Sequence, residues 1–532
     1  MNSKRPKKIA LVTHEFGLMR NSGGIAGYLY TYTKKYLKYD PDVEIYVITC
    51  NYHKRSDLLE HRRVHIFQIE KKKLSERGKE VLQYILEIRP DIVEVTDYLG
   101  LCLEALVYKH IVGVELNNTV FLQYCHTATK EIYDWGGFGD VNKAPARVKV
   151  PINRELSQTI LVDKVMAPSN FLRSYISDHY GIVTPEKVTY ALDVDPYDRN
   201  ELKKEMHLNY QLECMNDRFV INYITRFEDR KNQRMLVSVF LRFLKEIDDN
   251  AILILVGNSM ESIKTGKNLM LEIYSDIPDE FKENIRFFEF ATLEERKKYF
   301  SVSDLTVMTS PYENFPLLMV DSVRYGVPIM TSVYCGCCDY MGKYKDNMSF
   351  DPFDDNDLFE KMVSFYKCDQ FDREDIISVE RNELVNLCSL ENSLVKKIEL
   401  YCEVLERNDG KDVDGSGTFF INYVEDRRIE VTDGSNVVFI PNDKLHIDPR
   451  TLEKIIRVIS LQPEGYAVSM GKDCLHTDCF DAWQEGYPIL FTHMKQASGR
   501  MKDILKTIME ERKDHYFSIP MEAVFDGEEQ EP

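Results

Sequence analysis

No run of the sequence approaches the roughly 18 consecutive apolar residues that a membrane-spanning helix requires. The longest candidates, such as Ala251 to Gly257, are strand-sized, so no helix is expected to cross a bilayer. Basic charge is also in short supply: 68 Lys and Arg stand against 87 Asp and Glu, a net charge of −19 over 532 residues, which argues against a general nucleic-acid binder. The twelve cysteines are scattered without the regular spacing of a disulfide framework. In a chain this long they read as reduced thiols, and with them comes the expectation of a cytoplasmic protein. The basic opening, Met1 to Lys8, is followed by only five residues, Ile9 to Thr13, before His14 and Glu15 interrupt, so no export signal is expected. No Gly-x-Gly-x-x-Gly follows the first strand-like run, and no P-loop pattern occurs, which disfavours dehydrogenases and P-loop hydrolases. What remains is globular: 44% hydrophobic and 29% charged residues, with length for several domains.

Two series of strand and helix patterns organise the chain. In the first, Lys8 to Thr13 is a β-branched, apolar run that ends in a loop with Gly17, Gly23 and Gly24, and a helical pattern follows from Ile25 to Leu37. Strands are expected at 43–49, 91–95 and 121–124, with a helix at 76–88. The second series gives strands at 219–225, 251–256, 285–288, 305–309 and 328–332, with helices at 232–246, 293–300 and 317–325. Such alternation predicts an α/β chain with two doubly wound Rossmann-like domains, residues 1–205 and 206–407, that bind a ligand at the carboxyl ends of their strands, in the cleft between them. The polar, glycine-rich run 408–417 reads as a linker. Beyond it, residues 418–532 read as a small α/β domain, with strands at 418–424, 429–432 and 437–440, helices at 451–461 and 500–511, and a frayed acidic tail.

The residues with the clearest chemistry lie in the second series. Arg226 falls at a strand end and Lys231 at the next helix start, so two cations converge on the predicted cleft beside backbone amides that favour an anion. Glu313 sits in a loop, and Asp321 follows it with seven residues between, inside the next helix. In the first series, His126 and Asp97 each end a strand; Asp97 either faces a second substrate or caps the following helix.

With these residues in place the chain resembles the glycogen synthase-like retaining glycosyltransferases of GT-B architecture. The resemblance rests on Gly23 and Gly24 after the first strand, Arg226 with Lys231, and Glu313 with Asp321. Shorter phrases agree with it: Arg89-Pro90-Asp91-Ile92-Val93, Ala167-Pro168-Ser169, Ser303-Asp304-Leu305 and Tyr325-Gly326-Val327-Pro328. It covers residues 8 to about 400. It implies transfer of a sugar from a nucleotide diphosphate sugar, most often a UDP-sugar, to a hydroxyl acceptor, with no metal or cofactor. By the same resemblance Arg226 and Lys231 stabilise the departing diphosphate, assisted by the amides near Gly23 and Gly24. Glu313 orients the sugar, Asp321 holds the ribose, His126 hydrogen-bonds the reacting sugar and Asp97 lies on the acceptor side. Three positions depart from the family pattern: Asp321 stands where Glu is usual, and Thr225 and Asn232 stand where glycines often flank the Arg and the Lys.

An alternative class, a catalytically inactive transferase-like scaffold, is kept open by Asp321 and by the unplaced C-terminal segment. Cys335-Gly336-Cys337-Cys338 and Cys474 to Cys479 with His493 lack paired two-residue spacing and are not read as zinc sites; Gly336 reads as a backbone turn near the donor. Residues 1–90 carry 18 Lys and Arg against 10 Asp and Glu. This basic third is either a solvated face or an attraction for an anionic acceptor or a peripheral contact with an anionic membrane surface. The acceptor itself, whether glycan, lipid-linked or protein, is not written in any motif.

Overall fold

The computed structural model describes residues 5–17, 24–52, 57–111, 116–135, 146–180, 185–197, 215, 217–262, 265–289 and 293–410, and seven strands beyond them. The first body is a parallel sheet in the order β3-β2-β1-β4-β5-β6-β7. Its strands are β1 (Lys8–Phe16), β2 (Glu44–Tyr52), β3 (Val64–Gln68), β4 (Ile92–Thr96), β5 (Val120–Tyr124), β6 (Lys164–Ala167) and β7 (Glu186–Lys187). Helices α1 (Gly24–Tyr39), α2 (Leu74–Ile88), α3 (Leu103–Ile111), α4 (Thr129–Trp135), α5 (Ala146–Leu161) and α6 (Asn170–Tyr180) flank it. The second body is a parallel sheet in the order β10-β9-β8-β11-β12-β13. Its strands are β8 (Val220–Ile224), β9 (Ile252–Val256), β10 (Ile285–Phe288), β11 (Leu305–Met308), β12 (Ile329–Ser332) and β13 (Ser349–Phe350).

Both sheets are buried on two faces, which is why their strands read as unbroken apolar runs and not as alternating ones. The pleat still sorts them: Ile9 and Leu11 of β1 join one core, Ala10 and Val12 the other. In β9, Leu253 and Leu255 face one core while Ile252, Ile254 and Val256 face another. The expected doubly wound α/β architecture is therefore present twice. Strand β3, helices α3 to α6 and the long helices Asp355–Lys367 and Gln370–Leu387 were not among the expected elements.

The end of the second series behaves differently from expectation. The helix Lys396–Gly410 reaches three residues into the segment read as linker and packs on the first body. Lys397, itself 1% exposed, donates to Glu94 of β4 and to the Tyr28 hydroxyl, both at 2.7 Å. Its ammonium lies 3.8 Å from the Tyr32 ring centroid and 4.6 Å from that of Tyr124. Tyr401 donates to the other oxygen of Glu94, and Asn408 reaches the Asn117 carbonyl at 2.7 Å. A π-turn, Glu391–Val395, precedes this helix.

Beyond residue 410 the described strands form a mixed sheet in the order β14-β16-β18-β17-β20 and a separate antiparallel pair, β15 with β19. Strands β14 (Ile421–Tyr423), β15 (Arg428–Val431) and β16 (Val437–Ile440) fall where strands were expected; β17 (Ala467–Gly471), β18 (Ile489–Thr492), β19 (Ala497–Arg500) and β20 (Tyr516–Pro520) were not foreseen. Arg500 ends a strand instead of starting a helix; the rest of both expected helices, the remainder of the linker, Cys474 to Cys479 with His476, His493 and the acidic tail lie outside the described residues. No helix among the described residues is long and apolar enough to cross a membrane.

Removing one partner of a buried ion pair leaves an uncompensated charge in the core. Glu94→Gln is accordingly expected to lower the unfolding free energy by about 3–5 kcal/mol, and Glu94→Gln with Lys397→Met to regain much of it. Urea unfolding of the two variants checks this; equal stability of the single and double variants would show that the pair is not coupled.

Candidate active site

The carboxyl ends of β1, β4 and β5 face those of β8 and β11 across a cleft of about 560 Å³. From the second body it is lined by Arg226, Arg230, Lys231, Glu313 and Asn314, and from the first by His14, Gly24, Tyr98 and His126 among others. Arg226 follows β8 after one residue, Thr225. Its carbonyl accepts from the Gln233 side chain at 2.7 Å, which pins the loop, while its guanidinium is 62% exposed at the cleft mouth and 3.6 Å from Glu228.

Lys231 is held more deeply. Its carbonyl accepts from Tyr223 at 3.1 Å and from Thr309 at 3.2 Å, and its ammonium donates to Glu313. The next residue, Asn232, ends the turn with φ 52° and ψ 40°, a left-handed conformation open to glycine and, among side-chain-bearing residues, chiefly to Asn and Asp. This geometry gives the reason that Asn stands where the family pattern often has glycine.

Glu313 accepts from two cations through a single oxygen, Oε1: from Lys231 and, at 2.9 Å, from Arg230. Arg230 also donates to Glu228 at 3.0 Å and lies 5.4 Å from the Tyr312 ring centroid. Burial pushes the Glu313 carboxyl up, but Lys231 and Arg230 outweigh it and hold the group at about 2. Glu313 is therefore anionic near neutral pH. Burial and the neighbouring Arg230 charge lower Lys231.

Across the cleft, His126 follows β5. Its backbone N–H donates to both oxygens of Asp97 at 3.0 Å, its Nδ1 is 2.6 Å from the Tyr190 hydroxyl, and its Nε2 is buried with no partner among the described residues. Burial, with Lys397 adding to it, pushes the imidazole down to about 3, so it is neutral near pH 7. Polar residues of α5 brace these loops: Glu155 accepts from the N–H of Leu99 at 2.8 Å and from Thr129, and Gln158 donates to the Thr96 carbonyl at 3.0 Å.

Asn314 closes the seam between the bodies. Its amide donates to the His126 carbonyl at 2.5 Å and to Glu131 at 2.9 Å. Gly336 makes the same approach possible from behind, since a Cβ there would lie 1.7 Å from the Asn314 carbonyl oxygen and 2.7 Å from the Ser169 Cβ. It opens the turn Gly336–Tyr340, and its place in the fold is a close contact between bodies.

The structure brings Arg226, Lys231, Glu313, His126 and Gly24 to one cleft; Gly23 lies outside the described residues. Two expected site residues are elsewhere. Asp97 is buried and caps the turn Tyr98–Gly100 while holding His126, the second of the two roles left open for it. Asp321 is not among the cleft-lining residues; its carboxylate is 3.2 Å from Arg296 and 3.7 Å from Arg324. Sequence reasoning passed over Arg230, Asn314 and Tyr190. Arg230 was signalled only by its place beside Lys231, and Tyr190 lies where no strand or helix was expected. Cys335, Cys337 and Cys338 are free thiols, and no cluster suited to a metal occurs among the described residues.

Burial raises the Asp97 carboxyl to about 7 against the hydrogen bonds that favour its anion. The folded state then holds this proton more tightly than the unfolded state between roughly pH 4 and 7, so the group's contribution to stability falls as pH rises through that window. Relative to Asp97→Asn, the unmutated protein is expected to lose up to about 1.4 kcal/mol per pH unit there. Urea unfolding from pH 4.5 to 7.5 measures it, and parallel profiles would contradict it.

Residues 211–382 match the family described as glycosyl transferases group 1. The chain is similar to the glycogen synthase of Thermosipho africanus, 27% identical over 194 residues, 33% of this chain and 36% of that protein. It is also similar to that of Thermosipho melanesiensis, 23% identical over 241 residues, 43% of this chain and 47% of that protein. The chain thus spans between about a third and a half of the length of these curated relatives. Among solved structures, sucrose-phosphate synthase from Thermosynechococcus elongatus superposes with a TM-score of 0.58 at 14% identity, covering 75% of this chain and 99% of that one. Anabaena HepE in complex with UDP and glucose does so with a TM-score of 0.53 at 16% identity, covering 75% and 99%. At these identities the structural likeness speaks for the fold.

Proposed function

We propose, from the premise that this is a glycogen synthase-like chain of GT-B fold with a group 1 glycosyl transferase match in its second body, that it moves a sugar from a nucleotide diphosphate sugar to a hydroxyl acceptor with retention at the anomeric carbon. The observation that carries the reading is the meeting of Arg226, Lys231 and Glu313 with His126 across one cleft. The complexes of the structurally similar HepE with UDP and with UDP-glucose support a UDP-sugar as donor.

Breaking the bond from the anomeric carbon to the phosphate oxygen develops negative charge on the diphosphate. Arg226 at the mouth and Lys231 within are placed to receive that charge in a site where preorganised donors act strongly. Lys231 rests on Glu313, so an incoming diphosphate competes for it while Arg230 keeps Glu313 paired. Glu313, anionic near neutral pH, accepts hydrogen bonds from sugar hydroxyls. The unpartnered Nε2 of His126 meets the transferred sugar from the opposite side. The acceptor oxygen attacks on the face from which the diphosphate leaves, and its proton passes to a phosphate oxygen. These steps engage only side chains and the donor's own phosphate. The ribose contact expected of Asp321 finds no support in its pairing with Arg296 and Arg324.

Lys231→Ala and Arg226→Ala are each expected to slow turnover about 10²–10³-fold with the fold retained, the usual effect of losing one preorganised donor. Release of free nucleotide across a panel of nucleotide sugars measures this. Near-normal rates in either variant would overturn the site assignment, and an intact protein without turnover on any donor would favour the scaffold alternative.

A further inference from the structure

Beside the cleft, aromatic rings from separate segments meet at the seam between the bodies. Trp135, the last residue of α4, has its ring centroid 5.8 Å from Tyr312, 4.9 Å from Tyr334 and 6.3 Å from Phe353. Phe171 of α6 lies 6.3 Å from both Trp135 and Tyr334. Tyr312 is buried and Trp135 half-buried, but Tyr334 is 37% and Phe353 71% exposed, with Val333 at 40% beside them. A single exposed apolar residue means little; a contiguous group marks a contact surface.

Its position narrows the occupant. Tyr312, Tyr334 and Phe353 follow β11, β12 and β13, three neighbouring strands, so the rings stand in a row along the edge where parallel sheets bind ligands. The row begins at the cleft wall, because Tyr312 precedes Glu313 and carries the Arg230 guanidinium over its ring. At its outer end, Phe353 sits among Asp351, Asp354 and Asp355, all exposed, and residues 351–357 contain no Lys or Arg. That surround repels anionic lipid headgroups and anionic polymers. It suits an uncharged sugar chain, whose C–H faces stack on flat rings while its hydroxyls donate to carboxylates. Trp135 and Phe353 are near parallel, 14° apart, and present ring faces of one orientation.

We propose that Trp135, Tyr334 and Phe353 form a platform for an uncharged oligosaccharide, the part of the acceptor that extends beyond the hydroxyl being glycosylated. This deepens the transferase reading and rests on it for the identity of the bound chain as acceptor; binding itself does not require turnover. The full-length protein is run on native gels containing glycogen, dextran or soluble mannan, without nucleotide sugar. Retardation by at least one of these is expected, and Phe353→Ala and Tyr334→Ala are each expected to weaken it roughly tenfold, about the contribution of one stacked ring. Lys231→Ala is expected to be retarded like the unmutated protein. Circular dichroism verifies the fold of each variant.

No retardation by any of the three polysaccharides, or equal retardation of the ring variants, would overturn the platform. So would a patch that, by the same variants, serves binding to vesicles with 30% phosphatidylglycerol or self-association seen by light scattering. Polysaccharide binding without turnover on any donor would instead remove the transferase reading and leave the platform standing.

Discussion

The buried contact between Lys397 and Glu94 is the constraint on which the rest is hung. A lysine and a glutamate both nearly without solvent exposure are stable together only if each hydrogen-bonding position is met, and here they are met from both bodies. Tyr28 and Tyr32 from α1, Tyr124 from β5 and Tyr401 from the returning helix enclose the pair. Tyr28 in turn stacks on Tyr190 with ring centroids 4.2 Å apart, and the Tyr190 hydroxyl holds Nδ1 of His126. The placement of an imidazole in the cleft is thus coupled, through two rings, to a buried ion pair in the same core.

In the cleft the governing effect is charge balance in a confined space. Two cations on one carboxylate oxygen keep Glu313 ionised and leave the site short of negative charge, since Arg226 and Arg230 also share Glu228. Such a site is ordered before a ligand arrives, because the side chains already have partners. It is also ready for exchange, because one of the partners of Glu313 is redundant. Across from it His126 is neutral and half-satisfied, so the two walls differ in kind: one is charged, the other neutral.

The fold was legible where physics acts locally. Strands such as β9 and β12 and the helix Gln233–Glu246 declare themselves through unbroken apolar runs or amphipathic period, and the spacing of Arg226, Lys231, Glu313 and His126 was enough to bring them to one cleft. Elements whose buried faces carry polar groups were not legible: α5 buries Arg154, Glu155, Ser157, Gln158 and Thr159, a pattern that reads as solvent-exposed until its partners are known. The return of the helix Lys396–Gly410 to the first body was hidden for the same reason, since Lys397 in a sequence looks like any surface lysine. Asp321 and Asp97 went elsewhere because burial and nearby partners decide what a carboxylate does; spacing along the chain does not.

The π-turn at Glu391–Val395 has one more implication. The chain passes between the bodies near residues 190–197 and again through this turn, and the two passages lie side by side, with the Leu192 N–H at Cys388 and the Lys35 ammonium on the Leu192 carbonyl at 2.6 Å. Two adjacent tethers join the bodies at one edge, and Asn314 on the His126 carbonyl joins them again at the cleft. The register of His126 against Glu313 is therefore set by contacts within the protein at both of those places.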